Sequence, residues 1–454
     1  MNLKVILIVI LAFCLSTNLM GLKPNLRNVI IISVDTLRAD HLGCYGYPLN
    51  TSPVIDEFSK DGILFSNCYA LTPLTAPSFA TLLTSLPAHK HGAKRNGLSI
   101  YKNIKTLPYY LKKYRYHTAA FISNWPIRKK LSGLNNGFDE YYHIFTKKRY
   151  LGILNSEGTA PAVTEKTLRW IQKNHKKRFF LWVQYTDPHA LYYLHKNFTF
   201  NYQQIKPSTY PQGTRMKKIK GYDSEIAFTD YHIGKVIKEL KRFDLYDDAI
   251  IIFHSDHGES FGEHNYLKHG RKLYNSTLHV PLIIKLPKKL NANTKRKEVV
   301  TIMDIGPTLF SILQIPKFPQ MEGLNVFSSD ASLFNRKIFF EAYGGTVIFR
   351  RNSQKYHIKI KPIRYGTLSR SKKLIYNIKK KTFEFYDLKL DHFESQNIFS
   401  QPSMVVDDAK QNLLSKIDQI KEYIKLNRQY RLNGSALSQE DLNKLKSLGY
   451  FEDE

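Results

Sequence analysis

Three short runs of consecutive apolar, mostly β-branched or aromatic residues punctuate this chain, and each stops at an acid or a histidine. Residues 28–34 lead into Asp35-Thr36, residues 179–185 into Thr186-Asp187-Pro188-His189, and residues 249–253 into His254-Ser255-Asp256-His257. Runs that do not alternate read as strands buried on both faces of a parallel sheet. Between them, apolar positions at helical spacing predict helices over 78–85, 107–114, 162–174 and 222–243. Strands alternating with helices predict an α/β fold, a large mixed and mostly parallel sheet flanked by helices. Ligands of such a sheet sit beyond the carboxyl ends of its strands. Three strand ends that each carry Asp or His therefore converge on one edge.

The texture changes after about residue 330. Short β-rich runs at 337–340, 346–350, 356–360, 373–376 and 382–386 precede an amphipathic helix over 405–427. This pattern predicts a smaller α+β subdomain, an antiparallel sheet with a helix across it. The expected organisation is a signal peptide or signal anchor over 1–22, a catalytic domain over 23–330 and a C-terminal subdomain over 331–454. The first segment has Lys4, an apolar run from Val5 to Phe13 and then small and polar residues, the pattern of an export signal. That run is short for a bilayer, although residues 15–22 would extend it into an uncleaved anchor. The expected location is periplasmic, extracellular or membrane-anchored.

Composition narrows the classes further. Of 454 residues, 43% are apolar, enough for a sizeable core and incompatible with overall disorder. No interior stretch approaches the ~20 apolar residues of a membrane span. Three cysteines exclude a disulfide scaffold and a four-cysteine zinc site. The formal charge is +30, and twelve Lys/Arg with no Asp or Glu lie between Arg350 and Lys381. Such a run either attracts an anionic glycan or lipid surface, or decorates a solvated sheet face. No nucleic-acid motif accompanies it, so no nucleic-acid partner is expected.

Asp35, Asp256 and His257 are hard oxygen and borderline nitrogen donors, suited to a divalent cation. Thr75 precedes Pro77 and a helical run, where unpaired N–H groups and the helix dipole favour an anionic ester. A metal-activated Thr75 hydroxyl could act as a nucleophile. The same Thr75-Ala-Pro-Ser78 also reads as an ordinary helix cap.

Longer motifs bear on that choice. Ile32-Ser-Val-Asp-Thr-Leu-Arg-Ala-Asp-His-Leu-Gly-Cys-Tyr-Gly-Tyr47 resembles the opening metal motif of the sulfatase family, in the alkaline phosphatase superfamily. Thr75-Ala-Pro-Ser78, Leu83-Thr-Ser-Leu-Pro87 and His91-Gly92 are similar to the segment around that family's nucleophile. Asp187-Pro-His189 and Ser255-Asp-His-Gly-Glu259, with His264, His269-Gly270 and Val280-Pro-Leu282, resemble its later blocks. Tyr386-Asp-Leu388 and Leu445-Lys-Ser-Leu-Gly-Tyr450 are similar to its C-terminal phrases. The resemblance runs in order from about Asn28 to the end.

It implies a metal-dependent ester hydrolase with Asp35, Thr75, Asp256 and His257 as ligands of one divalent ion and Thr75 as nucleophile. His189 and His269 would serve the ester, and Asn96 and Arg38 would face the substrate. Two departures qualify the implication. Sulfatases proper carry Cys or Ser, oxidised to formylglycine, within Cys/Ser-x-Pro-x-Arg; here Thr75 and Phe79 stand there, and threonine cannot become that aldehyde. The family's Gly-Lys-Trp-His step is here Ser123-Asn-Trp-Pro126. A threonine ligand set is similar to that of phosphoglycerol and phosphoethanolamine transferases, which use Mn²⁺ or Zn²⁺ where sulfatases use Ca²⁺. The expected function is therefore cleavage of a phosphate or sulfate ester through Thr75, by hydrolysis or transfer, with a phosphate mono- or diester favoured over sulfate. The alternatives are a true sulfuric ester hydrolase on a sulfated glycan, and a non-catalytic binding protein.

Overall fold

The computed structural model describes residues 24–149, 154–205, 210, 213–329, 333, 335–345 and 360–427. The three apolar runs are the centre of the main sheet. They form β1 (Val29–Val34), β5 (Phe179–Tyr185) and β6 (Ile250–Ser255), with β1 parallel to both others. On the β5 side follow β3 (His117–Ile122) and β4 (Glu140–His143), also parallel. On the β6 side the sheet turns mixed. The stretch β7 (His279–Val280) and β8 (Leu282–Lys285) runs antiparallel to β6 and to β2 (Ile63–Tyr69), and β9 (Thr294–Thr301) closes that edge parallel to β2.

Every residue of β1, β5 and β6 is buried, because helices cover both faces. Ile31, Trp182 and Ile252 pack with Phe79 and Leu82 of α2 (Thr75–Thr84) and Leu309 of α5 (Ile305–Ile312). Ile32, Val183 and Phe253 point to the opposite face, against Ile55 of α1 (Pro53–Lys60), Val163 of α3 (Ala160–Asn174) and Ile226 and Ile233 of α4 (Met216–Arg242). Each such side chain contributes about 1.5–3 kcal/mol by leaving water. In the parallel register Val34 lies opposite both Tyr185 and Ser255. Asp35 and Asp256 consequently leave the sheet at the same level.

The later part is a four-stranded antiparallel sheet of β10 (Lys337–Ala342), β11 (Arg364–Ser369), β12 (Lys372–Asn377) and β13 (Thr382–Asp387). Helix α6 (Met404–Leu426) lays Val406, Leu413 and Ile417 on Tyr365, Leu374 and Phe385. Lys373 is fully buried on β12 and pairs with buried Glu394 at 2.6 Å, so part of the basic run is structural. Glu394 also accepts the Asn275 N–H, at 2.6 Å, which ties this part of the chain to the short helix Asn275–Leu278 before β7.

Several predicted boundaries move. Helix α2 starts at Thr75, three residues early, and α4 starts at Met216, where Lys217, Lys218 and Lys220 hide the apolar signal. Residues 107–114 form a short helix, Leu107–Leu111, ending in a 3-10 turn. Strand β11 was not predicted, because Gly366 interrupts it; a Cβ there would meet the Leu374 carbonyl at 3.1 Å. Cys44 and Cys68 are both free. The export segment 1–22, the strand expected over 346–350 and most of that over 356–360 lie outside the described residues. Among the described residues, no helix is long and apolar enough to cross a membrane.

Candidate active site

Asp35, Thr75, Asp256 and His257 come together, fully buried, beyond the carboxyl ends of β1 and β6. Ligand atoms of Asp35, Asp256 and His257 lie within 4.8 Å of one another. The turn after β1 is built for this: Thr36 adopts a left-handed φ of 57°, costly for a β-branched residue. Tyr222 holds the turn by donating to the Thr36 carbonyl at 2.6 Å and accepting the Arg38 N–H at 2.8 Å.

Each carboxylate keeps one oxygen on the protein and one off it. Asp35 Oδ2 accepts a bond from Asn124 Nδ2, and Asp256 Oδ1 accepts the N–H groups of Thr36 and His257, at 3.2 and 2.9 Å. Asp35 Oδ1 and Asp256 Oδ2 are buried and accept no hydrogen bond. Burial raises the Asp35 carboxyl to about 6 despite the nearby His189 and the Asn124 bond. Burial, then repulsion from Asp35, raises Asp256 well above the carboxylate range. Burial, with His269 and His189 nearby, holds His257 neutral. Its Nδ1 lies 2.9 Å from the Gly258 carbonyl, leaving Nε2 to present a lone pair, 3.2 Å from Thr75 Oγ1 and 3.4 Å from Asp256 Oδ2. Two unsatisfied carboxylate oxygens and a neutral imidazole nitrogen fit one divalent cation. Without positive charge between them the two carboxylates destabilise each other.

Thr75 does not cap its helix. The N-cap is Leu74, with no side-chain bond. The helix start is also less open than the sequence implied, since Pro77 has no N–H and the Ala76 N–H goes to Asn96 Oδ1 at 3.0 Å. The same amide leaves Asn96 Nδ2 buried without a hydrogen-bond partner. Through Oδ1 the Asn96 side chain is anchored to the residue that follows Thr75.

His189 and His269 join the same cluster. Ring centroids are 5.3 Å apart between them and 4.4 Å between His269 and His257. A buried glutamate sits on the Nδ1 of each: Glu157 at 3.0 Å from His189 and Glu259 at 3.1 Å from His269. These glutamates and Asn124 were not singled out as site residues from the sequence. Glu259 lay inside a quoted motif and Asn124 at a departure from one, whereas Glu157 had no local signal. Its placement depends on an isolated antiparallel bridge between Asn124 and Glu157.

Arg38 stands apart from that cluster in its contacts. Its guanidinium binds Asp40 at 2.7 and 2.9 Å, Glu263 at 2.6 Å and the Glu259 carbonyl at 3.1 Å. Burial disfavours its charge, but Asp40 and Glu263 outweigh this and raise its pKa. His254 and His264 are packed histidines: the first bonds Ser33 Oγ at 2.7 Å, the second stacks on Tyr274 at 3.6 Å.

Comparison with known proteins identifies the family of the chain. The family model described as Sulfatase matches residues 27–315, and one described as N-sulphoglucosamine sulphohydrolase, C-terminal, matches 262–423. An uncharacterized sulfatase of Escherichia coli is 26% identical over 390 residues, covering 71% of this chain and 76% of that protein. An N-acetylglucosamine-6-O-sulfatase of Bacteroides thetaiotaomicron is 24% identical, covering 82% and 83%. A solved structure in complex with its substrate D-glucosamine-2-N,6-O-disulfate superposes with a TM-score of 0.69 at 20% identity, covering 87% of this chain and 98% of that one. The chain belongs to the sulfatase family, within the alkaline phosphatase superfamily, and is a sulfatase-like ester hydrolase.

Proposed function

We propose that the chain is exported and hydrolyses sulfuric esters carried on a glycan, with Thr75 as nucleophile and Asp35, Thr75, Asp256 and His257 holding one divalent cation. The observation that carries this reading is the pair of buried, unsatisfied carboxylate oxygens beside His257 Nε2 and the Thr75 hydroxyl. The glycan class is supported by what the relatives are named for. A cation bound there would supply the charge that lowers the Thr75 pKa and polarises the ester.

The side chains divide the remaining work. Asn96 Nδ2 and His189 hold the ester oxygens. The deprotonated Thr75 oxygen attacks sulfur; the new S–O bond forms as the bond from sulfur to the sugar oxygen breaks. His269, oriented by Glu259, gives its proton to that leaving oxygen. Water then attacks sulfur, His269 takes the water proton, sulfate leaves and the Thr75 oxygen is restored. The Cβ methyl of threonine closes the aldehyde-hydrate route. Arg38 acts through Glu263 and the Glu259 carbonyl, as a positioning residue.

Thr75 also supports a second reading, cleavage or transfer of a phosphate ester, because a phosphothreonine is readily opened in line by water or an alcohol. Full-length protein assayed on aryl sulfate, aryl phosphate and phosphodiester with Ca²⁺, Mn²⁺ or Zn²⁺ separates the two. Sulfate turnover abolished by chelation and by Thr75→Ala is the expected result. Phosphodiester turnover without sulfate turnover replaces the first reading by the second. Sulfate turnover that survives Thr75→Ala removes the nucleophile, and metal binding without turnover of any ester makes the chain a binding protein.

A further inference from the structure

Directly after His189 the chain carries apolar side chains into solvent. Leu191 is 62% exposed, Tyr193 50% and Leu194 66%. The loop is firmly held, so this exposure is not fraying. The Tyr193 N–H donates to Glu225 at 3.0 Å, and the His195 N–H to Ser224 Oγ at 2.8 Å. His195 Nε2 lies 2.9 Å from Glu225, and its ring stacks on Phe228 at 3.9 Å. Tyr192 packs against Gly221, where a Cβ would meet its side chain at 2.8 Å. The apolar surface continues through Phe198 to exposed Tyr231, 5.9 Å between rings.

The segment that carries this patch has charge of one sign. From Ala190 to Tyr222 the sequence has six Lys/Arg and neither Asp nor Glu. Lys217 and Lys220 are exposed on the first turns of α4, beside the loop; Lys218 lies over the Tyr192 ring at 5.8 Å and Lys235 over Tyr231 at 4.4 Å. The acids closest to the loop, Glu225 and Glu259, are buried and bonded to it.

We propose that this loop and the start of α4 dock the chain on an anionic bilayer. Protruding leucines enter the acyl boundary, tyrosines take the interfacial level, and flanking lysines reach anionic headgroups. Leucines offer a hydroxyl-rich sugar no hydrogen bond, and a run of six Lys/Arg without an acid matches a negative surface. Docking in this way sets the His189 side of the site next to the membrane.

The test is co-sedimentation of the full chain with phosphatidylcholine vesicles, with and without phosphatidylglycerol. The parent should bind the anionic vesicles, with salt weakening the binding. The double variant Leu191→Asp, Leu194→Asp should lower the partition coefficient about tenfold or more. Lys217→Gln with Lys220→Gln should weaken binding to anionic vesicles alone. Both variants should keep the parental melting temperature and turnover of a soluble aryl ester, which shows them folded. Equal binding by parent and both variants would place the anchor elsewhere and overturn the proposal. So would no vesicle binding by the parent, a self-association that the leucine variant dissolves, or an effect on glycan KM alone.

Discussion

Thr75 Oγ1 lies 3.2 Å from His257 Nε2, although 182 positions separate them in the chain. One residue begins a helix and the other follows a sheet strand, so neither side chain swings freely relative to the other. Thr75→Ala should lower kcat/KM by at least about 10³-fold, the scale for loss of a covalent nucleophile. Thr75→Ser, which keeps the oxygen, should retain measurable turnover. Comparable turnover by the Ala and Ser variants would remove the covalent step.

Two buried carboxylates side by side make the metal-free protein less stable than it need be. Asp256→Asn should raise the melting temperature of chelated protein by several degrees, because it removes the burial cost of a carboxylate and its repulsion with Asp35. The same variant should lose both activity and the rise in melting temperature that Ca²⁺, Mn²⁺ or Zn²⁺ gives the parent. Thermal scans with and without chelator check both signs; a variant still stabilised by metal contradicts the ligand assignment.

Asn124 donates to Asp35 Oδ2 and so leaves Oδ1 as the oxygen that would face a cation. Asn124→Ala should weaken metal affinity about 10–100-fold, the usual cost of losing a partner of a ligand. Calorimetric titration of chelated protein measures it directly. Unchanged affinity would mean that the bond merely fills space.

General acid work by His269 should depend on the leaving group. His269→Ala is expected to slow alkyl esters by about 10²–10⁴-fold and nitrophenyl esters far less, since a nitrophenolate departs without a proton. Glu259→Gln should show the same selectivity at smaller size, because it loosens the Nδ1 contact. Equal losses across leaving groups would remove His269 from the chemistry.

Burial depresses His91 to about 3, and His254 and His232 to about 4. Such groups fold neutral, so their contribution is intact above about pH 6.5 and lost as pH falls toward those lower values. His91 Nδ1 accepts the Ala93 N–H at 3.1 Å, and its Nε2 lies 3.2 Å from Thr81 Oγ1. His91→Gln cannot acquire that charge. Relative to this variant the parent should lose on the order of 3–5 kcal/mol between pH 6.5 and 3, with no change in the difference above pH 7. Urea titrations of both proteins across that range decide it.

The sheet centre could be read from the sequence because β1, β5 and β6 are buried on both faces, and uninterrupted Val-Ile-Phe runs have few other uses. Their polar endings located Asp35, His189, Asp256 and His257 for the same reason. What escaped depends on contacts between distant segments. Glu157 precedes Gly158 in a stretch with no apolar rhythm, and only the bridge to Asn124 shows where its carboxylate goes. The lysines that open α4 concealed six residues of helix, since an exposed first turn has no apolar face. Arg38 sits in the most recognisable motif of the chain, but only three-dimensional proximity showed that Asp40 and Glu263 engage its guanidinium.

The Asn124–Glu157 bridge also says where this enzyme can vary. The Gly158 N–H donates to the Ser123 carbonyl at 2.8 Å, a Cβ on Gly158 would strike the Ile144 carbonyl at 2.3 Å, and the Thr146 N–H donates to the Glu157 carbonyl at 2.7 Å, so the ends of the excursion that leaves β4 at Ile144 and returns at Gly158 are clasped together. An excursion whose ends are clasped can lengthen at small entropic expense, about 0.6 kcal/mol per doubling of a flexible loop. New residues between Ile144 and Gly158 would therefore leave the clasp as it is, like a tool exchanged in a chuck, with Asn124 still on Asp35 and Glu157 still on His189.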